Sequence, residues 1–467
     1  MPVGDPKSLR AALNNVSDPA GRFLWGVDAT ICLGDLQRGS SLGGGLSELT
    51  GRSVLVKTRN QISAALALIE LDSVARRLVI CPPDIRPEYL RSLAKDAAID
   101  AVVFDQETSD DDDLGIPLRV KSRPAVAATT DLPANCFATE WVLLTSGTTG
   151  VPKMVVHSLA GLTGAIKSGK PQPSAVIWGT FYDMRRYGGL QVFFRAIVGG
   201  ASFIISGFEE TLADYMIRLR DRGATHVLGT PTHWRRALMS PTAPAIPLRY
   251  VRLSGEIADQ AILDNLRSVY PSADIVHAYA STEAGVGFEV GDGLEGFPLS
   301  ILNNSAGDVE MKIQDGSLRI RSTRSASRYI GGRGVALVDK DGFVDTADMV
   351  EVRNGRYYFL GRMGGIINVG GLKVHPEEVE AIINRHPDVR ISHVRARNNP
   401  ITGSIVVADV VLKDVADRSG KGAGVEKLKR EILEMCSGSL AQHKVPVVIK
   451  FVPALNYSAA GKLARHA

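Results

Sequence analysis

The sequence predicts an α/β protein with a large N-terminal domain of helix-covered sheets, a small antiparallel, barrel-like part and a small mobile α+β C-terminal domain. Short β-branched runs alternate with amphipathic stretches through the first three quarters of the chain. This rhythm is typical of mostly parallel sheets covered by helices. Short strand-like pieces separated by Asp-Gly and Asn-Gly pairs follow, which indicates antiparallel hairpins. After Gly361 the pattern changes again, to a few helices and strands.

The alternating region contains distinct strand and helix signals. β-Branched runs between turn residues predict strands, and apolar residues three and four apart predict helices. The predicted elements are strands at Ser53–Lys57, Leu78–Cys81 and Ala101–Phe104 and helices at Gln61–Leu71 and Glu88–Lys95, and the rhythm resumes from Trp141 to Ala278. The apolar stretch from Leu190 to Phe208 is interrupted by Arg195 and several glycines, so it predicts a buried helix and strand instead of a membrane span.

The antiparallel part is predicted at about residues 291–361, and the C-terminal domain follows it. The hairpin signals are Asp315-Gly316, Asp341-Gly342 and Asn354-Gly355. The predicted C-terminal elements are a helix at Pro376–Asn384, a strand at Ile405–Leu412 and a helix at Val425–Met435. The two glycines Gly364 and Gly365 give the backbone freedom between these parts. We therefore expect an N-terminal domain at residues 1–361 and a C-terminal domain at residues 362–467, with a hinge at Gly365.

Length, composition and charge limit the number of domains and the kinds of molecule that the protein is expected to bind. A chain of 467 residues is expected to form two or three domains. The net charge of +4 and the lack of a long basic run argue against a nucleic-acid partner. The N-terminus shows no signal-peptide pattern and no stretch predicts a membrane span, so a cytoplasmic protein is expected. The four cysteines form no C-x-x-C pair, which favours free thiols over zinc or disulfide scaffolds. The acidic run Asp110–Asp113 is predicted to be a solvated loop.

A loop of glycine and hydroxyl residues is the most informative segment. Glycines let backbone N–H groups converge on an anion, and hydroxyls add hydrogen bonds to phosphate oxygens. The loop follows an apolar strand and consists of Thr145, Ser146, Gly147, Thr148, Thr149, Gly150, Val151, Pro152 and Lys153. It is not a Walker A loop, because Val-Pro separates Lys153 from Gly150 and no Ser or Thr follows the lysine. The segment therefore predicts a phosphate-binding loop of another kind.

This loop resembles the phosphate-binding signature of the adenylate-forming superfamily, which contains acyl- and aryl-CoA synthetases, peptide-synthetase adenylation domains and luciferases. Four further segments resemble that family's motifs in the family's order. They are Ala278–Glu283 (Tyr-Gly-x-Thr-Glu), Asp345–Asp348 (Thr-Gly-Asp), Gly361-Arg362 with Asn368–Glu380 (hinge and following loop), and Ala460–Arg465 (terminal Gly-Lys). Five motifs in order identify the chain as a member of this superfamily, similar to its acyl- and aryl-CoA synthetases.

The resemblance implies an ATP- and Mg2+-dependent ligase that forms an acyl-adenylate and passes it to CoA. Tyr279 is expected against the adenine, Thr282 at the α-phosphate and Glu283 at Mg2+, the hard cation that carboxylates bind beside phosphates. Asp348 is expected to accept the ribose hydroxyls and Arg362 to reach the ribose. A structural salt bridge remains the alternative for Arg362. The nucleotide site is further expected to contain Thr145, Ser146, Gly147, Thr148, Thr149, Gly150, Lys153, Gly255, Glu256 and Ile257.

The resemblance makes Lys462 the catalytic residue, with Thr282 and Glu283 beside it. A carboxylate that attacks the α-phosphorus brings two negatively charged groups together. A compact ammonium group stabilises that charge as it develops. A non-enzymatic nucleotide-binding regulator would lack Glu283 or Lys462, so their presence favours an enzyme. A luciferase-like oxygenase, which shares the first half-reaction, stays open.

The acid pocket is expected around Tyr182, Asp183, Arg186 and Gly188. Tyr182-Asp183 resembles the Phe-Asp pair of amino-acid adenylation domains, so Asp183 could pair with a substrate ammonium. An internal pair with Arg185 or Arg186 is the favoured alternative, because both arginines follow within three residues. Either arginine could instead hold a second carboxylate of the substrate. The identity of the acid stays open between fatty, aryl, dicarboxylic and amino acids.

The acceptor channel is expected at Gly370, Gly371 and Lys373, where small residues let an extended thiol arm pass. No carrier-protein attachment motif follows Arg465, so free CoA is the favoured acceptor and a separate carrier protein is the alternative. Gly365 departs from the family pattern, which has Asp or Lys at the hinge. The segment ahead of Thr145 is also shorter than usual in the family, so the pocket could be built differently.

Overall fold

Two large sheets form most of the N-terminal part of the chain. The computed structural model describes residues 8–16, 18–106, 114–130, 137–145, 152–166, 176–303, 308–331, 336–399, 403–413 and 423–457. The first sheet has eight strands: β1 (Phe23–Trp25), β2 (Thr30–Cys32), β11 (Ile177–Thr180), β12 (Ser202–Ile204), β13 (His226–Gly229), β14 (Tyr250–Ser254), β15 (Asp274–Ser281) and β16 (Gly285–Val290). Their order is β16-β15-β14-β13-β11-β12-β1-β2. The interior pairs are parallel, and only the edge strands β16 and β2 pair antiparallel.

The second sheet has seven strands and, like the first, is mostly parallel. Its strands are β4 (Ser53–Lys57), β5 (Arg77–Ile80), β6 (Ala101–Phe104), β7 (Leu118–Lys121), β9 (Glu140–Thr145), β10 (Lys153–His157) and β20 (Arg328–Ile330). The order is β20-β10-β9-β5-β4-β6-β7, parallel from β9 to β7 and antiparallel at β10 and β20. The predicted mostly parallel, helix-covered sheets are confirmed. A small ribbon pairs β3 (Gly39–Ser40) with β8 (Ala127–Ala128).

Helices lie between and around these sheets. They are α1 (Leu9–Asn14), α2 (Gly45–Glu48), α3 (Gln61–Leu71), α4 (Pro87–Asp96), α5 (Leu159–Thr163), α6 (Tyr187–Gly199), α7 (Leu212–Asp221), α8 (Pro231–Ala237), α9 (Gln260–Val269) and α10 (Ser300–Asn303). Helices α3 and α6 share one apolar cluster with strands of both sheets, so they lie between the sheets. Every residue of α3 is buried. The Asn60 side chain accepts the Ile62 N–H at its start, which satisfies a free donor of the first turn.

Five antiparallel strands form a third sheet, as the turn signals predict. They are β17 (Phe297–Pro298), β18 (Val309–Gln314), β19 (Ser317–Ser322), β21 (Val344–Arg353) and β22 (Arg356–Arg362), in the order β17-β22-β21-β19-β18. Two-residue turns at Asp315-Gly316 and Asn354-Gly355 join hairpin strands, and all four residues have positive φ. The hairpin predicted at Asp341-Gly342 is wrong. That pair forms a turn ahead of β21, because the preceding strand β20 pairs with β10 of the seven-stranded sheet.

The C-terminal part contains β23 (Ile367–Val369), β24 (Leu372–Val374), α11 (Pro376–Ile383), β25 (Val389–Asn399), β26 (Gly403–Leu412), α12 (Ala423–Ser439) and β27 (Val448–Phe451). Strands β25, β26 and β27 form one sheet, with β27 parallel to β26. A separate apolar cluster holds these elements together, and its described members lie between Ile367 and Phe451. Polar contacts join this part to the rest of the chain: Arg385 pairs with Glu295 and Asn384 donates to Asp259.

Candidate active site

The end of β15 forms a turn that is fixed by both large sheets. The Ser281 hydroxyl accepts the Ala284 N–H at 3.0 Å, and the Glu283 carbonyl accepts the Ala326 N–H at 2.9 Å. The Thr282 carbonyl lies 2.8 Å from Nε2 of His157, the last residue of β10. Burial lowers the pKa of His157 to about 4, so the ring is neutral at pH 7 and donates from Nε2. Thr282, one of the predicted site residues, is therefore held by a histidine that sequence reasoning missed, and Glu283 is held by the backbone of Ala326.

Tyr279, Asp348 and Arg362 come together although they lie on β15, β21 and β22. The Tyr279 hydroxyl donates to Oδ2 of Asp348 at 2.6 Å, and Nε of Arg362 donates to Oδ1 at 3.1 Å. Burial, then the Asp348 charge, raises the pKa of the Tyr279 phenol, and the same carboxylate raises the pKa of Arg362. The structural salt bridge considered for Arg362 is thus present, and its partner is the aspartate assigned to the ribose.

Two aromatic rings stack on Tyr279. Its ring stacks on Phe359 with centroids 5.3 Å apart and on Phe288 at 5.8 Å. Phe359 lies on β22 and Phe288 on β16, so the ring is fixed between the eight-stranded and five-stranded sheets. A flat apolar surface beside a carboxylate suits the adenosine part of a nucleotide, because the base can stack while the sugar donates to the acid.

Tyr329 of β20 lies between Lys153 and Glu283. The Lys153 ammonium is 5.4 Å from the centre of the Tyr329 ring. Burial, with the charge and hydrogen bond of Glu283, raises the pKa of Tyr329 to about 12. Thr145 at the end of β9 is the antiparallel partner of Lys153 at the start of β10. The loop that joins the two strands therefore begins and ends close to Tyr329. The loop residues Ser146, Gly147, Thr148, Thr149 and Gly150, all predicted to bind phosphate, lie outside the described residues.

Glu283 fits a magnesium ion held mainly by its substrate. Among the described residues, no group of three or more His, Cys, Asp and Glu side chains is arranged to hold a metal ion. A single half-buried carboxylate that hydrogen-bonds to Tyr329 suits Mg2+, which takes one or two protein carboxylates and fills its other positions with phosphate oxygens and water.

Gly255, Glu256 and Ile257 follow β14, next to the end of β15. Gly255 has φ of +84°, a conformation that favours glycine. The Glu256 carboxylate accepts the Thr232 N–H of α8 at 3.0 Å. The structure therefore places these three predicted residues at the same edge of the sheet as Ser281 and Thr282.

Tyr182 and Asp183 lie where the acid pocket was predicted, and both have internal partners. The buried Tyr182 hydroxyl donates to the Ser254 carbonyl at 2.6 Å. Asp183 accepts two hydrogen bonds from Arg185, at 2.8 Å from Nε and 2.5 Å from Nη2. The internal ion pair that the sequence favours for Asp183 is present, and its partner is a fully buried guanidinium.

The two other predicted pocket residues flank this pair. Arg186 forms an ion pair with Asp84 at the surface, and Arg185 pairs with Asp183. Gly188 touches the pocket directly: a Cβ there would lie 3.3 Å from the Tyr182 ring. The glycine thus lets α6 approach that ring.

The predicted acceptor residues lie on the β23–β24 hairpin. Gly370 and Gly371, with φ of +57° and +85°, form its two-residue turn. Lys373 is exposed beside them. Gly365 ends a short 3-10 turn, and an added Cβ there would meet no atom within 4 Å. Lys462 lies outside the described residues.

These features suit the binding of an adenine nucleotide. Comparison with known proteins gives the family. The AMP-binding enzyme family model matches residues 51–320, and the AMP-binding enzyme C-terminal domain model matches residues 378–462. The chain therefore belongs to the AMP-binding enzyme family, within the adenylate-forming superfamily, and it is an AMP-forming ligase.

Curated relatives and solved structures agree with this family. The chain is 27% identical over 361 residues to 2-succinylbenzoate–CoA ligase of Salmonella typhimurium, covering 74% of the chain and 73% of the relative. It is 27% identical over 362 residues to human mitochondrial acyl-coenzyme A synthetase ACSM4, covering 70% and 60%. The anthranilate CoA ligase AuaEII in complex with anthranoyl-AMP has the same fold, with a TM-score of 0.76 at 19% identity over 98% of this chain and 95% of that one. No helix in the described ranges is long and apolar enough to cross a membrane.

Proposed function

We propose that the protein activates a carboxylic acid with ATP, releases pyrophosphate and transfers the acyl group from the acyl-adenylate to the thiol of CoA. The Tyr279–Asp348–Arg362 arrangement carries this proposal, because an aromatic ring beside a carboxylate suits the base and sugar of one nucleoside. The relatives named as CoA ligases support the choice of CoA as acceptor.

In the first half-reaction, a carboxylate oxygen of the acid attacks the α-phosphorus of ATP, and the bond to pyrophosphate breaks. Asp348 accepts the ribose hydroxyls, and the loop between Thr145 and Lys153 binds the phosphates. Thr282 donates to the α-phosphate, held in place through its carbonyl by His157. Glu283 would hold Mg2+, which would supply positive charge to the phosphate oxygens. Lys462 supplies an ammonium group to the acid and the α-phosphate as the negative charges meet.

In the second half-reaction, the CoA thiolate attacks the acyl carbonyl carbon, and AMP leaves with the oxygen that bridged carbon and phosphorus. We propose that the region after Arg362 forms a C-terminal domain that rotates about Gly365 between the two steps. A Cβ added at Gly365 would meet no atom within 4 Å, and glycine tolerates a wide range of φ and ψ, which suits a pivot. The Gly370-Gly371 turn would then let the pantetheine arm pass close to the backbone.

A pyrophosphate-release screen tests this function. Fatty, aryl, dicarboxylic and amino acids are offered with ATP and Mg2+, with and without CoA. The proposal requires at least one acid to release pyrophosphate and to yield AMP and an acyl-CoA when CoA is present. Formation of ADP, or turnover that no acid stimulates, would show that the proposal is wrong. Release without thioester formation from CoA would refute CoA as acceptor and leave a carrier protein to be tested.

A further inference from the structure

Two polar contacts join the residues just after α11, in the C-terminal part of the chain, to the start of α9. Nη2 of Arg385 donates to Oε1 of Glu295 at 3.1 Å, and Oε2 of that glutamate accepts the Gln260 N–H at 3.1 Å. Nδ2 of Asn384 donates to Oδ2 of Asp259 at 3.3 Å, and Oδ1 of that aspartate caps α9. Each carboxylate is thus bonded to a backbone N–H of α9, so both acceptors have defined positions.

A third contact joins Tyr457 to α8. The Arg236 guanidinium carbon lies 5.1 Å from the centre of the Tyr457 ring, within the range of a cation–π interaction. Burial raises the pKa of the Tyr457 phenol, the Arg236 charge opposes that rise and the Glu256 charge adds to it. Because Glu256 also accepts the Thr232 N–H at the start of α8, Tyr457 docks beside a residue predicted for the nucleotide site. We call the three contacts the clasp: Arg385–Glu295, Asn384–Asp259 and Arg236–Tyr457.

The clasp bears on the predicted catalytic lysine. Lys462 follows Tyr457 by five residues, and five residues of extended chain span at most about 18 Å. Docking of Tyr457 beside Glu256 therefore limits how far Lys462 can lie from the predicted nucleotide site. In the proposed first half-reaction Lys462 acts at the α-phosphate, so the clasped orientation of the C-terminal part suits adenylate formation.

The clasp is strong enough to favour one orientation and weak enough to release it. The hinge itself supplies no side chain that could favour either orientation, because Gly364 and Gly365 stand there. The Arg385 side chain is 47% exposed and that of Glu295 is 21% exposed. A partly exposed ion pair and a cation–π contact at the surface each contribute modestly to stability. Contacts of this strength can close and open once in every turnover.

We propose that Arg385 and Tyr457 are positioning residues that select the adenylate-forming orientation of the C-terminal part. This inference rests on the proposed function, because it requires two half-reactions that need different orientations. The clasp is closed while the acid attacks the α-phosphorus, and it opens before the CoA thiol attacks the acyl carbonyl carbon. Both residues act through the placement of Lys462 and not on a reacting atom.

The test measures the two half-reactions separately in single turnovers: acyl-adenylate formation without CoA, and transfer of pre-formed acyl-adenylate to CoA. The first rate follows the fraction of clasped molecules and the second follows the fraction of released molecules. Their ratio therefore follows the equilibrium between the orientations. Arg385→Gln and Arg236→Gln should each lower the ratio of adenylation rate to transfer rate roughly 2- to 5-fold. The double variant should lower it roughly 4- to 25-fold, because the two contacts share no partner.

Conservative and matched variants separate positioning from structural damage. Arg385→Lys keeps the charge and Tyr457→Phe keeps the ring, so both should stay within about 2-fold of the wild-type ratio. Arg395→Gln is the matched control, because Arg395 is 38% exposed and pairs with Asp409 inside the C-terminal sheet; its ratio should equal that of wild type. A variant that only destabilises the C-terminal part lowers both rates together. An unchanged ratio in the double variant of Arg236 and Arg385 would overturn the clasp.

Energy transfer between two dyes reads the orientation without catalysis. The dyes are placed at Ile217 of α7 and at Val447 of the C-terminal part, which are both exposed. Without any acid present, the double variant should shift the energy-transfer distribution away from that of wild type, and identical distributions would overturn the clasp. Failure of every acid to release pyrophosphate would instead overturn the proposed function, and the dye measurement would still judge the clasp.

Discussion

Replacing Asp348 with Asn should weaken ATP binding through the ribose. A carboxylate offers about four acceptor positions. Tyr279 uses one on Oδ2 and Arg362 uses one on Oδ1, which leaves one position on each oxygen for the two ribose hydroxyls. The amide of Asp348→Asn retains one oxygen and loses the charge. Because a hydrogen bond to a charged group contributes about 1.5–3 kcal/mol, the KM for ATP should rise roughly 10- to 150-fold.

Deoxynucleotides make this prediction specific. Wild-type protein should lose affinity for 2′-deoxy-ATP and 3′-deoxy-ATP, whereas Asp348→Asn should discriminate against at least one of them much less, since the acceptor is already missing. The measurement is the KM of each nucleotide in acid-dependent pyrophosphate release. Asp341→Asn, at an exposed turn ahead of β21, is the control and should behave as wild type. If Asp348→Asn discriminates between ATP and the deoxynucleotides as strongly as wild type, Asp348 does not bind the ribose.

Three further predictions concern catalysis, domain motion and stability. Lys462→Ala should lower the rate of pyrophosphate release on the order of 10²–10³ and leave ATP binding largely intact; a near wild-type rate would contradict the catalytic role. Gly365→Pro should fix φ near roughly −65°, so that adenylate still forms but pre-formed acyl-adenylate transfers slowly to CoA; equal losses in both half-reactions would argue against this pivot. Asp183→Asn should leave the buried Arg185 charge unpaired and lower the free energy of unfolding by about 3–5 kcal/mol in urea titration, with all acids affected alike; an unchanged urea midpoint would refute the pair.

Much of the fold follows from local patterns. The helix Gln61–Leu71 and the strands Ser53–Lys57 and Ala101–Phe104 have the predicted bounds, because each is an apolar run with turn residues at both ends. The turn at Asp341-Gly342 was predicted as a hairpin and is not one. A dipeptide fixes local φ and ψ, but the choice of partner strand depends on the rest of the chain.

The candidate site also contains some contacts that the sequence could predict and others that it could not. The Asp183–Arg185 pair could be anticipated because Arg185 lies only two positions after Asp183. Tyr279, Asp348 and Arg362 were expected in one site only through motif resemblance, since 69 residues separate the first two. His157 and Tyr329 gave no signal of function, because the residues that they contact, Thr282 and Glu283, lie far from them in the sequence.

The most direct test of acyl-adenylate formation follows one oxygen atom. An accepted acid labelled with oxygen-18 in its carboxylate is incubated with ATP, Mg2+ and CoA, and the products are analysed by mass spectrometry. Attack of the carboxylate on the α-phosphorus places a labelled oxygen in the bridge, and that oxygen leaves with AMP when the thiol attacks the carbonyl carbon. The account predicts AMP carrying one labelled oxygen, together with unlabelled pyrophosphate. Label in inorganic phosphate with ADP as the nucleotide product, or unlabelled AMP, would contradict it.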